Sequence, residues 1–180
     1  MKTINTKLND CVIIEPTVHG DDRGFFLESF HLSRYAELAG IKLPFVQDNL
    51  SRSTKGVLRG LHFQKTKPQG KLVRVVKGEV FDVAVDLRKE SSTFGEYESV
   101  ILTEENKKQF WVPPGFAHGF IVLSDYADFE YKCTDYYDPS DEGGLIWNDP
   151  EVAIEWPIDE PLLSDKDVKL PNLKELANQS

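Results

Sequence analysis

Residues 69–87 read Gln-Gly-Lys-Leu-Val-Arg-Val-Val-Lys-Gly-Glu-Val-Phe-Asp-Val-Ala-Val-Asp-Leu. β-Branched and aromatic side chains dominate both halves, and Lys77-Gly78 interrupts them. The stretch therefore predicts two strands, 69–76 and 79–87, joined by a tight hairpin turn. In the second strand Glu79, Phe81, Val83, Val85 and Leu87 share one face; Val80, Asp82, Ala84 and Asp86 share the other. Both faces are apolar in the middle, which predicts burial on both sides. Asp82 then lies among apolar neighbours, where a carboxylate needs partners. Backbone amides are the structural reading, a polar site the functional one.

Outward from this pair the same pattern recurs. Residues 8–15, 24–30, 45–53 and 56–64 precede it as strands; 97–102, 109–113, 118–124 and 127–135 follow. Turn residues separate them: 17–23, Pro113-Pro114-Gly115, Ser124-Asp125-Tyr126 and the loop 138–144. Helical signals are few. Residues 33–39 form the clearest helix, with Ser33 as N-cap and Gly40 as stop; 103–108 reads as one helical turn and 172–177 as a short helix in the tail. Trp147 and Trp156 read as covers for a sheet end. Many short strands at intervals of 8–12 residues predict an all-β fold, and without a repeat or a linker the 180 residues read as one domain.

Thirty acidic against 21 basic side chains give a net charge of −9. That argues against nucleic-acid binding, which needs a basic face. An anionic small ligand would need a local cationic pocket. No run approaches the ~20 apolar residues of a membrane span, and the N-terminus lacks the apolar region of a signal peptide. Cys11 and Cys133 have no metal-type spacing and read as reduced thiols of a cytoplasmic protein.

The strand 56–64, Gly-Val-Leu-Arg-Gly-Leu-His-Phe-Gln, carries two misfits, Arg59 and His62. They are three apart, so a regular strand sends them to opposite faces. If both serve one site, Gly60 is where the strand must be irregular. In 127–135, Phe129, Tyr131 and Cys133 point inward and Glu130, Lys132 and Thr134 to solvent. The Tyr131 hydroxyl then needs a buried partner or a ligand.

Gly56-x5-His62 and Pro113 to His118 resemble the two halves of the cupin signature, which implies a cupin-like jelly-roll barrel with short flanking helices. Metal cupins use a second His where Gln64 stands and a Glu where Gln69 and Lys71 stand. With half the ligands missing and an ammonium nearby, no metal is expected. His62, His118, Lys71, Tyr131, Asp82, Arg59 and Arg23 remain as polar candidates. A His base and a Tyr acid on opposite sides of a pocket suit epimerisation beside a carbonyl. Lys71 suits the enolate oxygen and the arginines suit phosphates.

Several ordered motifs are similar to the dTDP-4-dehydrorhamnose 3,5-epimerase family. They are Arg-Gly-Leu-His-Phe-Gln at 59–64, Gln-Gly-Lys-Leu-Val-Arg at 69–74, residues 78–88, Pro-Pro-Gly-Phe-Ala-His-Gly-Phe at 113–120, Tyr-Lys-Cys-Thr-Asp-Tyr-Tyr at 131–137, Trp-Asn-Asp-Pro at 147–150 and Leu-Ser-Asp-Lys-Asp at 163–167. The resemblance implies inversion at C3 and C5 of dTDP-4-dehydro-6-deoxy-D-glucose, giving dTDP-4-dehydro-L-rhamnose, with no cofactor. It implies His62 as base, Asp167 as its partner, Tyr131 as acid and Lys71 at the enolate. It implies substrate contacts from Arg23, Glu28, Gln47, Asp48, Asn49, Arg59, His118, Glu142 and Lys166, with Tyr137 stacked on thymine; Asp82 joins them from the strand reading. It further implies a homodimer exchanging an N-terminal strand, with Arg23 or Glu28 acting in the partner's site. Relatives that invert C3 or C5 alone share the same groups. A non-catalytic sugar-nucleotide-binding cupin would not need His62, Tyr131 and Lys71 together.

Overall fold

The computed structural model describes residues 1–178. The strands are β1 (Lys2–Asn5), β2 (Val12–Glu15), β3 (Val18–Asp21), β4 (Gly24–Leu27), β5 (Gln47–Thr54), β6 (Leu58–Gln64), β7 (Lys71–Lys77), β8 (Glu79–Asp86), β9 (Tyr97–Thr103), β10 (Gln109–Val112), β11 (Phe116–Val122), β12 (Tyr126–Cys133) and β13 (Glu142–Gly144). Helix α1 spans Leu32–Ala39 and α2 Leu173–Asn178; a 3₁₀ turn covers Asp167–Lys169. No helix among the described residues is long and apolar enough to cross a membrane.

Two antiparallel sheets face each other, ordered β1-β2-β10-β7-β12-β5 and β13-β6-β11-β8-β9; β3 and β4 form a separate ribbon. The main core lies between the sheets. Val73, Val75, Phe110 and Phe129 from the first meet Val80, Ala84, Leu102 and Phe120 from the second. This is the expected all-β jelly roll, built as two separate sheets rather than one continuous barrel. Helix α1 packs Tyr35 and Ala39 on the outer face of the first sheet, against Val12, Ile14 and Leu72. The loop after β13 and helix α2 cover the outside of the second, where Val83 and Val85 meet Leu145, Val152 and Leu173. Strand β8 is thus buried on both faces, as its sequence predicts. Trp156 covers it, 5.8 Å from Phe81 between ring centroids, and donates its indole N–H to the Trp147 carbonyl at 2.8 Å.

Lys77-Gly78 is not a hairpin. Strand β7 pairs with β10 and β12, whereas β8 pairs with β11 and β9, so the chain turns a corner from one sheet to the other. Gly78 is still required: its φ is 83°, and a Cβ there would lie 2.2 Å from the Tyr126 carbonyl oxygen. A glycine turn reports a change of direction, not which strand pairs next. Five smaller expectations also change. The α1 N-cap is His31, whose Nδ1 accepts from the Arg34 N–H, rather than Ser33. The expected strand 8–15 is β2 alone; its partner β1 is drawn from residues read as a polar terminus. The turn 17–23 contains β3, and the loop 138–144 contains β13, paired to β6. Thr103 ends β9, and Asn106 Oδ1 closes a turn there by accepting from the Thr103 and Lys108 amides.

The irregularity expected at Gly60 is present. His62 lies opposite His118, yet Arg59 lies opposite Phe120, so three steps along β6 match two along β11. The extra residue is a bulge, and it resets the parity. Gly60 has φ 121°, and a Cβ there would come within 2.7 Å of Gly119 Cα and the His118 carbonyl oxygen. Any other residue would push β6 and β11 apart.

Candidate active site

The inter-sheet core ends at Phe120 and Phe129, stacked with centroids 4.1 Å apart. Beyond them the sheets enclose two adjoining cavities. The larger, about 630 Å³, is walled by Ser51, Arg59, His118, Leu162 and Asp167; the smaller, about 240 Å³, by Gln47, Asn49, Gln69, Tyr137 and Glu142. His62, Lys71 and Tyr131 line both. His62 comes from one sheet and Lys71 and Tyr131 from the other, so the three side chains meet across the gap.

His62 Nε2 lies 2.7 Å from Asp167 Oδ1. Asp167 is only 3% exposed and starts the 3₁₀ turn. Its other oxygen accepts the Gly60 N–H at 3.3 Å, and its own N–H donates to Ser164 Oγ. The bulge therefore has a second effect, presenting a backbone donor to the carboxylate that holds His62. Burial pushes the Asp167 carboxyl up, but the His62 hydrogen bond and charge and the Gly60 amide together hold it below the ordinary range. An ionised Asp167 only accepts, so neutral His62 carries its proton on Nε2 and its lone pair on Nδ1. Glu142 Oε1 lies 3.9 Å from that Nδ1.

Tyr131 points inward, as the alternation of β12 predicts. Burial pushes its phenol above the ordinary range, with Asn49 and Arg59 opposing only in part. At neutral pH it is a protonated donor. Lys71 is the converse case: burial lowers its pKa, while Cys133, Asp82 and Glu142 work to raise it. Among the described residues its ammonium has no ion-pair partner, because Asp82 is taken by His118, whose Nε2 lies 3.0 Å from both Asp82 oxygens. Asp82 is fully buried and lines neither cavity. Its partner is a side chain rather than backbone amides, and it reaches the site only through His118. Burial pushes the Asp82 carboxyl up, and His118 and Lys71 oppose.

Polar contacts order the rim. Lys166 Nζ donates to both Glu142 oxygens at 2.9 Å, and the Tyr137 hydroxyl donates to Glu142 at 2.9 Å. Gln47 accepts the Tyr137 N–H at 3.0 Å and donates to Asn49 Oδ1 at 3.0 Å. Arg59 Nε donates to Ser53 Oγ at 2.8 Å. Among the described residues no group of three His, Cys, Asp or Glu converges in a metal-binding arrangement.

A family model described as dTDP-4-dehydrorhamnose 3,5-epimerase matches residues 5–175. The chain belongs to the dTDP-4-dehydrorhamnose 3,5-epimerase family. It is 57% identical over 175 residues to the dTDP-4-dehydrorhamnose 3,5-epimerase of Salmonella typhimurium, covering 96% of each chain. The crystal structure of dTDP-6-deoxy-D-glucose-3,5-epimerase from Legionella pneumophila Philadelphia 1, in complex with dTDP-4-keto-L-rhamnose, superposes with a TM-score of 0.94. That chain is 58% identical, and the match covers 96% of this chain and 93% of that one. The dTDP-4-dehydrorhamnose 3,5-epimerase of Bacillus anthracis, solved with TDP and PPi bound, is 47% identical with a TM-score of 0.92, covering 95% and 98%.

In this member of the 3,5-epimerase family, three further expected site residues besides Asp82 stand apart from both cavities. Arg23 lies in the β3–β4 turn, ion-paired to Asp21, with its side chain 90% exposed. Glu28 pairs with Arg34 beside α1. Asp48 is turned to the outer face of β5, where it pairs with Lys132 at 3.0 Å; parity removes it from the face that carries Gln47 and Asn49. That same face is less open than expected, since Lys132 lies over the Phe30 ring and Glu130 is bound by Arg74. Sequence reasoning missed Ser164 and the wall at Leu162 and Leu163. Ser164-x-x-Asp167 has the spacing of a capping box, which could have marked the turn that presents Asp167.

Proposed function

We propose that this chain inverts C3 and C5 of dTDP-4-dehydro-6-deoxy-D-glucose and yields dTDP-4-dehydro-L-rhamnose. The observation that carries the reading is the junction of the two cavities, where an oriented imidazole, a lysine amine with no ion-pair partner among the described residues and a protonated phenol meet. Both reacting carbons flank the 4-keto group, so one enolate site serves both. His62 Nδ1 removes the proton alpha to the carbonyl, and Asp167 stabilises the imidazolium that results. Lys71 receives the charge that develops on the keto oxygen. Tyr131 returns a proton to the opposite face. Arg59 is suited to the diphosphate as a planar donor, and Tyr137 to the thymine ring.

Proton NMR of the product formed in D₂O tests the reading. Deuterium and inverted configuration are expected at both carbons. Label at one carbon alone would identify a single-site epimerase, and label at neither would leave a sugar-nucleotide-binding protein without this chemistry. Run beside it, Tyr131→Phe is expected to keep part of the exchange but lose inverted product; normal turnover would refute its role as acid.

We also propose a homodimer that exchanges the N-terminal ribbon. Among the described residues strands β3 and β4 pair only with each other, and Phe25 and Phe26 on β4 are 63% and 66% exposed. Apolar rings on a ribbon without a core need a partner surface. Arg23 and Glu28, idle in their own protomer, would then serve the neighbour's cavity. A monomer mass by light scattering at micromolar concentration would sink the dimer.

A further inference from the structure

Double inversion creates a proton count that single inversion does not. Each inversion leaves one proton on His62 and takes one from Tyr131, and each side chain holds only one. Before the second carbon reacts, His62 must lose a proton and Tyr131 must regain one. Asp167 does not serve for the discharge. It is buried and engaged at Nε2, whereas the proton from carbon arrives at Nδ1. The carboxylate on the Nδ1 side is Glu142, at 3.9 Å. Strand β13 places it there by pairing with β6 on the side of His62 away from β11. Lys166 and Tyr137 hold its oxygens, and their side chains reach water: the Lys166 side chain is 56% exposed and Tyr137 is 48% exposed. His62, Glu142 and this pair form a polar path from the free ring nitrogen to the cavity mouth.

We propose that Glu142 discharges His62 between the two inversions. The inference rests on the double-epimerase reading above. The His62 Nδ1–H bond breaks as a Glu142 O–H bond forms, across a gap that one water or a small swing of the carboxylate closes. Glu142 then gives the proton to bulk water, and the Tyr131 phenolate takes one from water in the cavity. One proton leaves and one enters, so the site returns to its starting charge. Lys166 and Tyr137 keep the carboxylate aimed and ionised; Glu142 is a relay and does not touch the reacting carbons.

The test is a single-turnover quench in D₂O, with enzyme in excess of the dTDP-4-keto-6-deoxy sugar, on wild type, Glu142→Gln and Glu142→Asp. Glutamine keeps the shape of the side chain and an acceptor for Tyr137 and Lys166, so loss of a substrate contact lowers both steps alike, the rate of the second C–D bond relative to the first is the reading, and circular dichroism reports the fold. The second is expected to slow by about 10²-fold relative to the first, the range of a lost acid–base group. Singly inverted sugar then accumulates. Added imidazole buffer is expected to restore the second step in Glu142→Gln in proportion to its concentration and to do nothing for wild type. Glu142→Asp, which keeps a carboxylate, is expected to give the double product. Equal slowing of both steps without buffer rescue would make Glu142 an ordinary substrate contact and overturn the relay, as would an unchanged ratio of single to double product. Wild type that labels one carbon alone would overturn the relay and the double-epimerase reading together.

Discussion

His62→Ala is expected to abolish deuterium exchange at C3 and C5 together, lowering turnover by about 10⁴-fold, the upper range for loss of a positioned base. His62 Nδ1 is the free basic nitrogen at the junction of the cavities, and Nε2 is held by Asp167 at 2.7 Å. Glu142 does not replace it, because Lys166 and Tyr137 already hold its carboxylate and keep its pKa low against the effect of burial. Asp167→Asn gives the sharper variant. An amide N–H facing Nε2 would force the imidazole proton onto Nδ1, so the base would be present in the wrong tautomer. A loss approaching that of alanine is expected, with substrate binding retained. Exchange persisting at either carbon in His62→Ala would remove His62 from the role of base. Asp167 also links the site to stability. Its folded pKa is depressed, so its contribution is present above the unfolded value of about 3.9 and is lost as the pH falls through the folded one. His62→Ala removes the hydrogen bond and the charge that depress this pKa, and its acid unfolding is expected to begin at higher pH than that of wild type.

The parts of the site legible in the sequence are those set by local geometry. Alternation alone turns Tyr131 inward, because a strand has two faces and the neighbouring Glu130 and Lys132 choose the other. The spacing of Arg59 and His62 demands a bulge, and Gly60 between them is the residue able to make one. What stayed hidden depends on pairing at long range. Asp167 is 105 residues from His62, and nothing near it in sequence carries periodicity; only resemblance to a family located it. Asp82 was read as buried, correctly, but its partner His118 sits on β11 and follows only from the β8–β11 register. The same blindness made Lys77-Gly78 look like a hairpin. Short polar strands such as β3 bury nothing in the protomer, so no apolar pattern marks them.

Lys71→Met is expected to lower kcat/KM by about 10³-fold while leaving the fold as stable as wild type or more so. The two halves of that expectation share one cause. The Lys71 side chain is half-buried, it has no ion-pair partner among the described residues, and desolvation disfavours its charge. Removing an unpaired, desolvated ammonium and filling its space with a thioether relieves a cost in the folded state. In the proposed reaction the same charge faces the enolate oxygen. At a separation of about 4 Å and an effective dielectric of about 20, the attraction is about 4 kcal/mol, which corresponds to about three powers of ten in rate. Because the enolate precedes both proton return and product, exchange and inversion are expected to fall by the same factor, unlike in Tyr131→Phe. The pH dependence has a definite sign. Only the ammonium form stabilises the oxyanion, and its pKa is lowered, so wild-type activity is expected to decline as the pH rises through that value. Lys71→Arg, which stays charged at any accessible pH, is expected to move this alkaline limb upward even if its longer side chain costs rate. Thermal unfolding and pH–rate profiles on the three proteins check the expectation. Unchanged kcat/KM in Lys71→Met would assign the oxyanion to another donor, with His118 beside it on Asp82 the candidate to test next.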